Sequence, residues 1–479
     1  MEAMPLLVLA IVSLLSKAAA PQDARAQVPT ADAIANVRRL VNAMYQEELR
    51  GPSRTKQIEL ERKLLDHSRQ PDIDVATKYV LLEMARDTAI AVDDDGTALA
   101  AIEELSRSFQ IDAAGAKIEF VDARAAATND PDRLARFVAS LLRDVPTAFV
   151  AEDLATADRL IAEAQAVLKR SADPDATALV TRARDRSAQL DANRDAFASA
   201  RATLATNPSD ARANGVVGFH LCLLLEQWER GLPVLVLGDS PELSAAAALE
   251  LKPAPDAETR LKIADRWYEV ASRLPPIPQT AARLHAATWY RRVFHEVKGT
   301  ERRRVAKRLA EIDPPPALPK STLKIDPADW RLYRRITGDW QPHLVDGTVC
   351  TSKGTVFTVK NPGDTGGQAK LIFVSRLFDG DFVLWIKYRG PLHTISIGEP
   401  VVLKDRIIYL DRLSTDRTDW KSLVMRRTRD GLTVWIDGEP GSVVLHNTDE
   451  FLASFFSVEL SNGQEISLRD FAFRGGLLH

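Results

Sequence analysis

The spacing of apolar residues changes at one place in the chain, the proline-rich segment DPPPALP at residues 313–319. Each proline lacks a backbone N–H and disfavours helical geometry in the residue before it, so no helix continues through this segment. Before it, apolar residues recur with the 3.6-residue period of a helix, and after it with the two-residue period of a strand. The chain is therefore predicted to be a multidomain α + β protein with an N-terminal helical part and a C-terminal β part.

The helical part, residues 27–312, is predicted to be an array of antiparallel helical hairpins. Ile34, Val37 and Val41 form one apolar stripe, and similar stripes recur in later segments, as expected for helices that bury one face. Helices of roughly 12 to 20 residues, separated by short breaks such as the Asn-Pro at 207–208, indicate antiparallel neighbours. Stacked hairpins of this kind form an α-solenoid.

Two sequence similarities indicate repetition in the helical part. ADRWYEVA around Trp267 recurs as AATWYRRVF around Trp289. Residues 207–235, NPSDARANGVVGFHLCLLLEQWERGLPVL, resemble a tetratricopeptide (TPR)-like unit, with Asn-Pro before the first helix and a glycine within it. The wider segment 207–312 resembles a helical module of large exported or surface proteins of bacteria. These resemblances imply a TPR-like architecture and carry no activity.

Three groups of side chains in the helical part have both a structural and a functional interpretation. Aromatic pairs at helical spacing form either the core or an aromatic cage, and the core is favoured for Trp267, Tyr268, Trp289 and Tyr290. A basic run near a helix C-terminus is interpreted as a solvated helix end: Arg302, Arg303, Arg304, Lys307 and Arg308. Two lone histidines without neighbouring metal ligands are interpreted as packed residues: His220 and His285.

The β part, residues 329–479, follows a Pro-rich linker at 313–328 and is predicted to be an antiparallel β-sandwich. Short alternating runs such as FVLWIKYR, SLVMRR, LTVWID and EISLRDFAFR are separated by Gly, Asp, Asn and Pro, as in sandwich strands. The order of DGDFVLWIKYRG, TDWKSLVMRRTRDGLTVWIDGEP and VELSNGQEISLRDFAFRGG resembles a laminin-G/concanavalin A-like domain, especially its 3-keto-disaccharide hydrolase-like branch. This resemblance implies a concanavalin A-like jelly roll, a fold shared by lectins, adhesion modules and glycosidases.

A candidate ligand-binding face follows from side-chain alternation along two of these strands. The side chains predicted to face the core are Phe382, Leu384, Ile386, Tyr388, Leu432, Val434 and Ile436. The opposite face carries Trp385, Lys387, Arg389, Thr433, Trp435 and Asp437. Flat indole rings suit the C–H faces of sugars and charged groups suit their hydroxyls, so this face is predicted to be an exposed sugar platform. The alternative is that a loop, an edge strand or the helical array covers the tryptophans.

No catalytic, metal or cofactor motif accompanies these candidates. A glycosidase needs two carboxylates at a controlled separation, and Asp379, Asp381, Asp430 and Asp437 stand in predicted turns, where aspartate is expected for backbone reasons. The sequence also contains no P-loop, GxGxxG or HExxH pattern. We therefore predict no catalytic residue, no metal ligand and no cofactor.

The N-terminal residues 1–26 are predicted to be a signal peptide. Their apolar core is too short to span a bilayer comfortably, and the A-x-A pattern ending at Ala26 predicts cleavage before Gln27. The alternative is a retained N-terminal anchor, because Glu2 replaces the usual basic residues. No later stretch is apolar enough to span a membrane. The two cysteines, Cys222 and Cys350, fall in different parts and are predicted to be unpaired thiols.

These observations favour an exported, non-enzymatic binding protein. In this hypothesis the helical array is a scaffold for protein contacts, and the sandwich recognises a carbohydrate or a protein. One alternative is a hydrolase or lyase that acts on a glycoside through the sandwich, and another is a purely structural envelope protein. The formal net charge of −3 gives no indication of a nucleic-acid partner.

Overall fold

The structure is a computed structural model that describes residues 25–49, 53–170, 173–253, 256–316, 330–336, 339–343, 350–353, 356–360, 369–390, 394–398, 407–409, 419–428, 431–440, 454–460 and 464–478. One compact unit contains Ile102–Asp313, and another contains the chain from Pro314 together with Leu40–Pro71 and Leu81–Ala101. Most of the linker predicted at 313–328 lies outside the described residues, so the domain bounds stay predictions.

Helices make up nearly all of the described chain before Asp313. Sixteen α-helices lie in these ranges: α1 Ala31–Met44, α2 Gln46–Leu49, α3 Arg54–Ser68, α4 Val75–Ala91, α5 Asp95–Ser108, α6 Ala113–Ala126, α7 Pro131–Val150, α8 Leu154–Leu168, α9 Pro174–Ala192, α10 Arg194–Thr206, α11 Ala211–Phe219, α12 Trp228–Leu235, α13 Pro241–Glu250, α14 Ala257–Ala271, α15 Pro276–Val293 and α16 Gly299–Ile312. No described helix is long and apolar enough to cross a membrane.

An aspartate precedes several of these helices and caps the first turn. Asp112 accepts a hydrogen bond from the Gly115 N–H at 2.9 Å. Asp153 does the same for Thr156 at 3.0 Å. Each cap satisfies a backbone donor that the helix itself leaves unpaired and contributes about 1 kcal/mol. The hydrogen bonds from Thr156 also lower the pKa of Asp153. These caps fix the first turns of α6 and α8.

The segment that resembles a TPR-like unit forms a helix–turn–helix. α11 continues into a π-helical turn, His220–Leu224, before α12 begins. Two glycines allow the backbones to approach closely, because a Cβ at Gly218 would lie 2.5 Å from Leu235 Cα and one at Gly231 would lie 2.3 Å from Cys222 Sγ. The helical hairpin predicted here is therefore present. The TPR-like subtype stays a prediction.

The predicted signal peptide lies outside the described residues except for Arg25 and Ala26. The Ala26 N–H donates to the Ser108 carbonyl at 2.9 Å, and the Gln110 N–H donates to the Ala26 carbonyl at 2.9 Å. Ala26 thus forms a short parallel bridge with Phe109. Cleavage before Gln27 would remove this bridge, so the cleavage position stays a prediction.

Strands make up the described chain from Trp330 onward. Twelve strands lie in these ranges: β1 Trp330–Ile336, β2 Asp339–His343, β3 Cys350–Lys353, β4 Val356–Lys360, β5 Ala369–Arg389, β6 Thr394–Gly398, β7 Ile407–Tyr409, β8 Lys421–Thr428, β9 Gly431–Ile436, β10 Glu439–Pro440, β11 Ser454–Leu460 and β12 Glu465–Leu478.

The long strand β5 connects two groups of strands. Its first half pairs with β1 and β11, and its second half pairs with β8 and β12. The order β10-β9-β8-β5-β11-β6-β7 forms the main path, and every pairing is antiparallel. The fold class is α + β, with a helical array followed by an antiparallel β-sandwich, as the sequence predicts.

Candidate binding face of the sandwich

The two tryptophans of the predicted platform lie on the same face of the sheet. In the strand register, Trp385 on β5 is opposite Val424 on β8 and Ala472 on β12, and Val424 is in turn opposite Trp435 on β9. Directly opposed residues point to the same side of a sheet. We call this side the tryptophan face. The prediction that Trp385 and Trp435 lie on one face of the sheet is confirmed.

The other side of these strands faces an apolar core, as predicted. Leu384, Ile386, Tyr388 and Val434 are all buried, and Ile436 is half-buried. The side chains of Phe382 and Leu432, also predicted to face the core, lie outside the described side chains. Leu423, Met425, Phe357, Ile466 and Leu468 complete this buried layer.

Both tryptophans of the predicted platform are buried, so their predicted exposure is wrong. Trp385 is 3% exposed and Trp435 is 2% exposed, and the two pack with Val424 and Ala472 in one apolar cluster. The Trp385 indole N–H donates to the carbonyl oxygen of Pro316 at 2.9 Å. Pro316, at the end of the described part of the proline-rich segment, therefore lies against the tryptophan face. Alternation assigns a side chain to a face of the sheet, but it does not show what covers that face.

The polar end of the tryptophan face centres on a third indole, Trp420. Trp420 directly precedes β8 and is half-buried. The guanidinium of Arg469 lies 4.1 Å from its ring centroid, and that of Arg389 lies 5.1 Å from it. Both distances are within cation–π range. The structure thus places Arg389, one of the predicted site residues, beside an aromatic ring that the platform prediction did not include.

A bulge in β12 brings a lysine and an aspartate to the same end. Arg469 is opposite Lys387 and Ala472 is opposite Trp385, so two residues of β12 stand against one residue of β5. Asp470 within this bulge has a φ of 51°. The extra residue keeps Arg469 and Ala472 on the same face. It also allows the Lys387 Nζ to lie 3.1 Å from Asp470 Oδ2.

The remaining two predicted site residues lie on the same face with separate contacts. Asp437 is exposed and accepts a hydrogen bond from the Ser422 N–H at 2.8 Å. Asp437 and Gly438 have φ values of 50° and 82°, which fits a two-residue hairpin turn of the Asp-Gly type. Thr433 is half-buried and pairs with Arg426, whose guanidinium lies 4.9 Å from the Trp435 centroid.

The platform prediction omitted Trp420, Arg469 and Asp470. For Trp420, the sequence alone could have shown that it belongs to the tryptophan face. Trp420 stands two residues before Ser422 and four before Val424, so an extended β8 places it on the tryptophan face. The other two residues carried no such signal. The bulge that brings Arg469 and Asp470 together changes the alternation, and a bulge is not visible in the strand pattern.

The helical part contains a half-buried carboxylate, with a side chain 9% exposed, that accepts from three aromatic side chains. Glu250, at the end of α13, accepts from the Trp267 indole at 2.5 Å, the Trp289 indole at 3.1 Å and His285 Nε2 at 2.8 Å. Trp228 stacks on His285 with ring centroids 3.6 Å apart. Trp267 and Tyr290 are fully buried, so the core interpretation of these two aromatic residues is confirmed. Burial, and then the charge of Glu250, raise the pKa of the Cys222 thiol.

Part of the basic run in α16 points inward, which corrects its interpretation as a solvated helix end. Arg304 donates to both carboxylate oxygens of Asp265, at 2.8 and 2.9 Å. Arg308 contacts the same carboxylate and the Tyr290 hydroxyl. Arg302, Arg303 and Lys307 are exposed, as predicted. The reason for the inward turn is Asp265 on α14, a partner distant in sequence.

A second buried carboxyl in the helical part lacks donors. Glu61 on α3 and Asp94, which caps α5, are both 0% exposed. Neither oxygen of Glu61 accepts a hydrogen bond from the described residues. Burial, and then the neighbouring carboxyl of Asp94, raise the pKa of Glu61 to about 9. A pKa raised this far favours the protonated form of Glu61 near neutral pH.

Two carboxylates on the tryptophan face have structural partners. Asp437 bonds to Ser422 and Asp470 pairs with Lys387, so each of these carboxylates already has a structural partner. Within the described ranges, no three His, Cys, Asp or Glu side chains are placed to hold a metal ion.

No protein-family model matches the chain, and no curated protein sequence matches it. Several solved structures share a weak structural likeness with it. A sialidase is 7% identical over 31% of this chain and 17% of its own length, with a TM-score of 0.22. The exoplasmic/lumenal domain of VIP36, in its Ca²⁺- and Man3GlcNAc-bound form, is 12% identical over 31% of this chain and 85% of that domain, with a TM-score of 0.20.

The metal-free carbohydrate recognition domain of Emp46p is 11% identical over 34% of this chain and 96% of that domain, with a TM-score of 0.20. This chain therefore spans less than a fifth of the sialidase and most of each of the two other domains. Values this low indicate neither common ancestry nor a common ligand.

Proposed function

We propose that this protein is an exported, non-enzymatic binding protein whose β-sandwich recognises a carbohydrate at the polar end of the tryptophan face. The observation that carries the proposal is the half-buried indole of Trp420 beside Arg389 and Arg469. An indole offers a flat apolar surface for the C–H face of a sugar ring, and the surrounding polar groups serve its hydroxyls.

Further hydroxyl and charged groups lie on the same face of the sheet, on neighbouring strands. Ser467 and Thr358 contact each other through their hydroxyls at 2.9 Å, on the strands next to Arg389. Lys387 and Asp470 form an ion pair beside Arg469. Sugar sites combine one aromatic surface with a few fixed polar groups, and this arrangement supports such a role.

The remaining parts of the proposal rest on the sequence resemblances. The sandwich is proposed to be concanavalin A-like and similar to the 3-keto-disaccharide hydrolase-like branch. The helical part is proposed to be a TPR-like array that holds a protein partner. In this scheme one chain connects a glycan to a protein at the cell surface or in the periplasm.

Binding of the full chain to a panel of polysaccharides, with and without Trp420, tests the carbohydrate proposal. Trp420→Ala is expected to cost about 1 to 3 kcal/mol of binding, which is roughly a 5- to 150-fold loss of affinity. Glu439→Ala, at an exposed position of β10, is the matched control and should bind as the parent does. Failure of the well-folded parent to bind any glycan would refute the proposal.

Export is tested separately, by N-terminal sequencing of the protein from its native host. Removal of the predicted signal peptide gives a mature chain that begins at Gln27. Recovery of Met1 in a membrane fraction would instead support the retained anchor. A start between Pro21 and Arg25 would keep the bridge of Ala26 with Phe109 and would correct the cleavage position.

A further inference from the structure

We propose that the ligand of the tryptophan face is an acidic glycan, one whose sugar rings carry carboxylates as in a uronate polymer. This inference rests on the proposed function and adds the charge of the ligand to it. Its basis is the excess of cationic groups around Trp420. Lys387, Arg389 and Arg469 surround this end of the face, and Asp470 is the acidic group paired there.

Lys387, Arg389 and Arg469 differ in how closely each is paired with a carboxylate. Lys387 forms its ion pair with Asp470 at 3.1 Å. Arg469 Nε lies 3.8 Å from the same carboxylate oxygen, which is beyond hydrogen-bonding distance. Arg389 is exposed, and it forms no ion pair with any residue that the structure describes. Among the described residues, Asp470 is the one carboxylate that pairs with these cations, and the exposed guanidinium of Arg389 retains the capacity to bind an anion.

The stacking of the two guanidiniums on Trp420 prepares them for this role. A guanidinium that lies over an aromatic ring uses its π face, and its N–H donors stay available in its own plane. A carboxylate is the planar acceptor that matches two parallel N–H donors. The indole holds the two guanidiniums in place, and the carboxylate of an acidic sugar is a matching acceptor for their N–H donors.

A carbohydrate is favoured over a nucleic acid, which also combines flat rings with anions. The chain has a formal net charge of −3, whereas proteins that bind nucleic acids commonly present an extended basic surface. The cationic cluster here is local and surrounds one indole. This geometry suits one acidic sugar residue better than a run of phosphates.

A pair of polymers that differ only in charge tests the inference. Polygalacturonate carries a free carboxylate on each sugar, and its fully methyl-esterified form has the same backbone without the charge. Full-length protein is expected to bind the acid form about 10- to 100-fold more tightly than the ester. The preference should decrease between about 0.05 M and about 0.5 M NaCl, because salt screens exposed charges.

The variant Arg389→Gln tests whether the preference for the acid form arises at the tryptophan face. It should weaken binding of the acid form about 10-fold or more and leave binding of the ester unchanged. Lys262→Gln, which removes one positive charge from an exposed position of α14, is the matched control and should leave both affinities unchanged. An equal loss in both variants would overturn the assignment to this face.

The outcomes separate this inference from the function on which it rests. Equal binding of the acid and ester forms that still needs Trp420 would overturn the acidic ligand and leave carbohydrate recognition intact. Tighter binding of a single-stranded oligonucleotide than of polygalacturonate would overturn the carbohydrate class. Absence of binding to any polysaccharide by the folded parent would refute the proposed function itself.

Discussion

The helical part and the β-sandwich both bury tryptophans, but the indole N–H groups have different partners in the two regions. In the helical part, the N–H groups of Trp267 and Trp289 converge on one carboxylate, Glu250. In the sandwich, the N–H of Trp385 donates to a backbone carbonyl of the proline-rich segment. A buried indole requires a hydrogen-bond acceptor, and the two regions supply it with a charged side chain and with backbone, respectively.

Because the indole acceptor is a side chain in the helical part and backbone in the sandwich, the stability of the two regions should respond to different substitutions. The carboxylate of Glu250 accepts from side chains on two other helices, so its loss would leave the donors of Trp267, Trp289 and His285 without their acceptor. A backbone acceptor is part of the chain itself and cannot be removed by a side-chain substitution. The sandwich should therefore respond to loss of the ring, and the helical part to loss of the carboxylate.

The largest effect is expected for Trp385→Ala. The ring is 3% exposed, so its loss should lower the free energy of unfolding of the sandwich by about 3 to 5 kcal/mol. Trp385→Phe retains an apolar ring but loses the donor to Pro316 and should cost about 1 to 2 kcal/mol. Denaturant unfolding monitored by near-UV circular dichroism measures both.

Trp420→Ala is the matched comparison on the same face. Because Trp420 is half-buried, its loss should change the unfolding free energy by less than about 1.5 kcal/mol. If Trp385→Ala were as mild as Trp420→Ala, the Trp385 ring would be accessible and the original platform prediction would be restored.

The second-largest loss of unfolding free energy is expected for Glu250→Gln in the helical part. The amide retains the shape of the carboxylate but loses the charge that strengthens the bonds from Trp267, Trp289 and His285. Since hydrogen bonds to charged groups are stronger than neutral ones, the substitution should cost about 2 to 3 kcal/mol of unfolding free energy.

Glu258→Gln, at an exposed position of α14, is the control and should change the unfolding free energy by less than about 0.5 kcal/mol. Thermal unfolding followed by far-UV circular dichroism reports the helical part. Equal stability of the two variants would show that the three donors do not depend on the charge of Glu250.

The sequence predicted the elements and the faces of the strands, and it missed contacts between distant residues. Periodicity and the proline-rich segment predicted helices before Asp313 and strands after the linker, and alternation assigned Trp385 and Trp435 to one face. It did not show that Pro316, a residue 69 positions away, contacts Trp385. It also did not show that Glu250 meets His285, because the two lie 35 positions apart on different helices. Periodicity is a local property, whereas these partners are set by tertiary packing.

The smallest of these changes in unfolding free energy is expected for a substitution of Glu61, and it should stabilise the protein. Its raised pKa, about 9 against the usual 4.5, means that the folded state holds a proton that the unfolded state releases. The contribution of this group to stability is therefore complete below about pH 4.5 and is lost as the pH rises toward about 9. Glu61→Gln places a neutral donor beside Asp94 at every pH and should raise the unfolding free energy by about 1 to 3 kcal/mol at pH 8.

The gain in unfolding free energy from Glu61→Gln should decrease as the pH is lowered toward 4.5, because Glu61 then becomes protonated in the unfolded state as well. Subtracting the unfolding free energy of the parent from that of the variant at each pH isolates the effect of Glu61 from that of all other titrating groups. Denaturant unfolding of parent and variant at several pH values gives that difference. Gln57→Glu, which adds a carboxylate to a half-buried position of the same helix, should instead lower stability as the pH rises. A constant difference between parent and Glu61→Gln from pH 5 to pH 8 would show that Glu61 is ionised in the folded protein. The helical part would then bury two charged carboxylates side by side, and Arg54 and Arg62, whose charges act to lower the pKa of Glu61, would have to compensate for both.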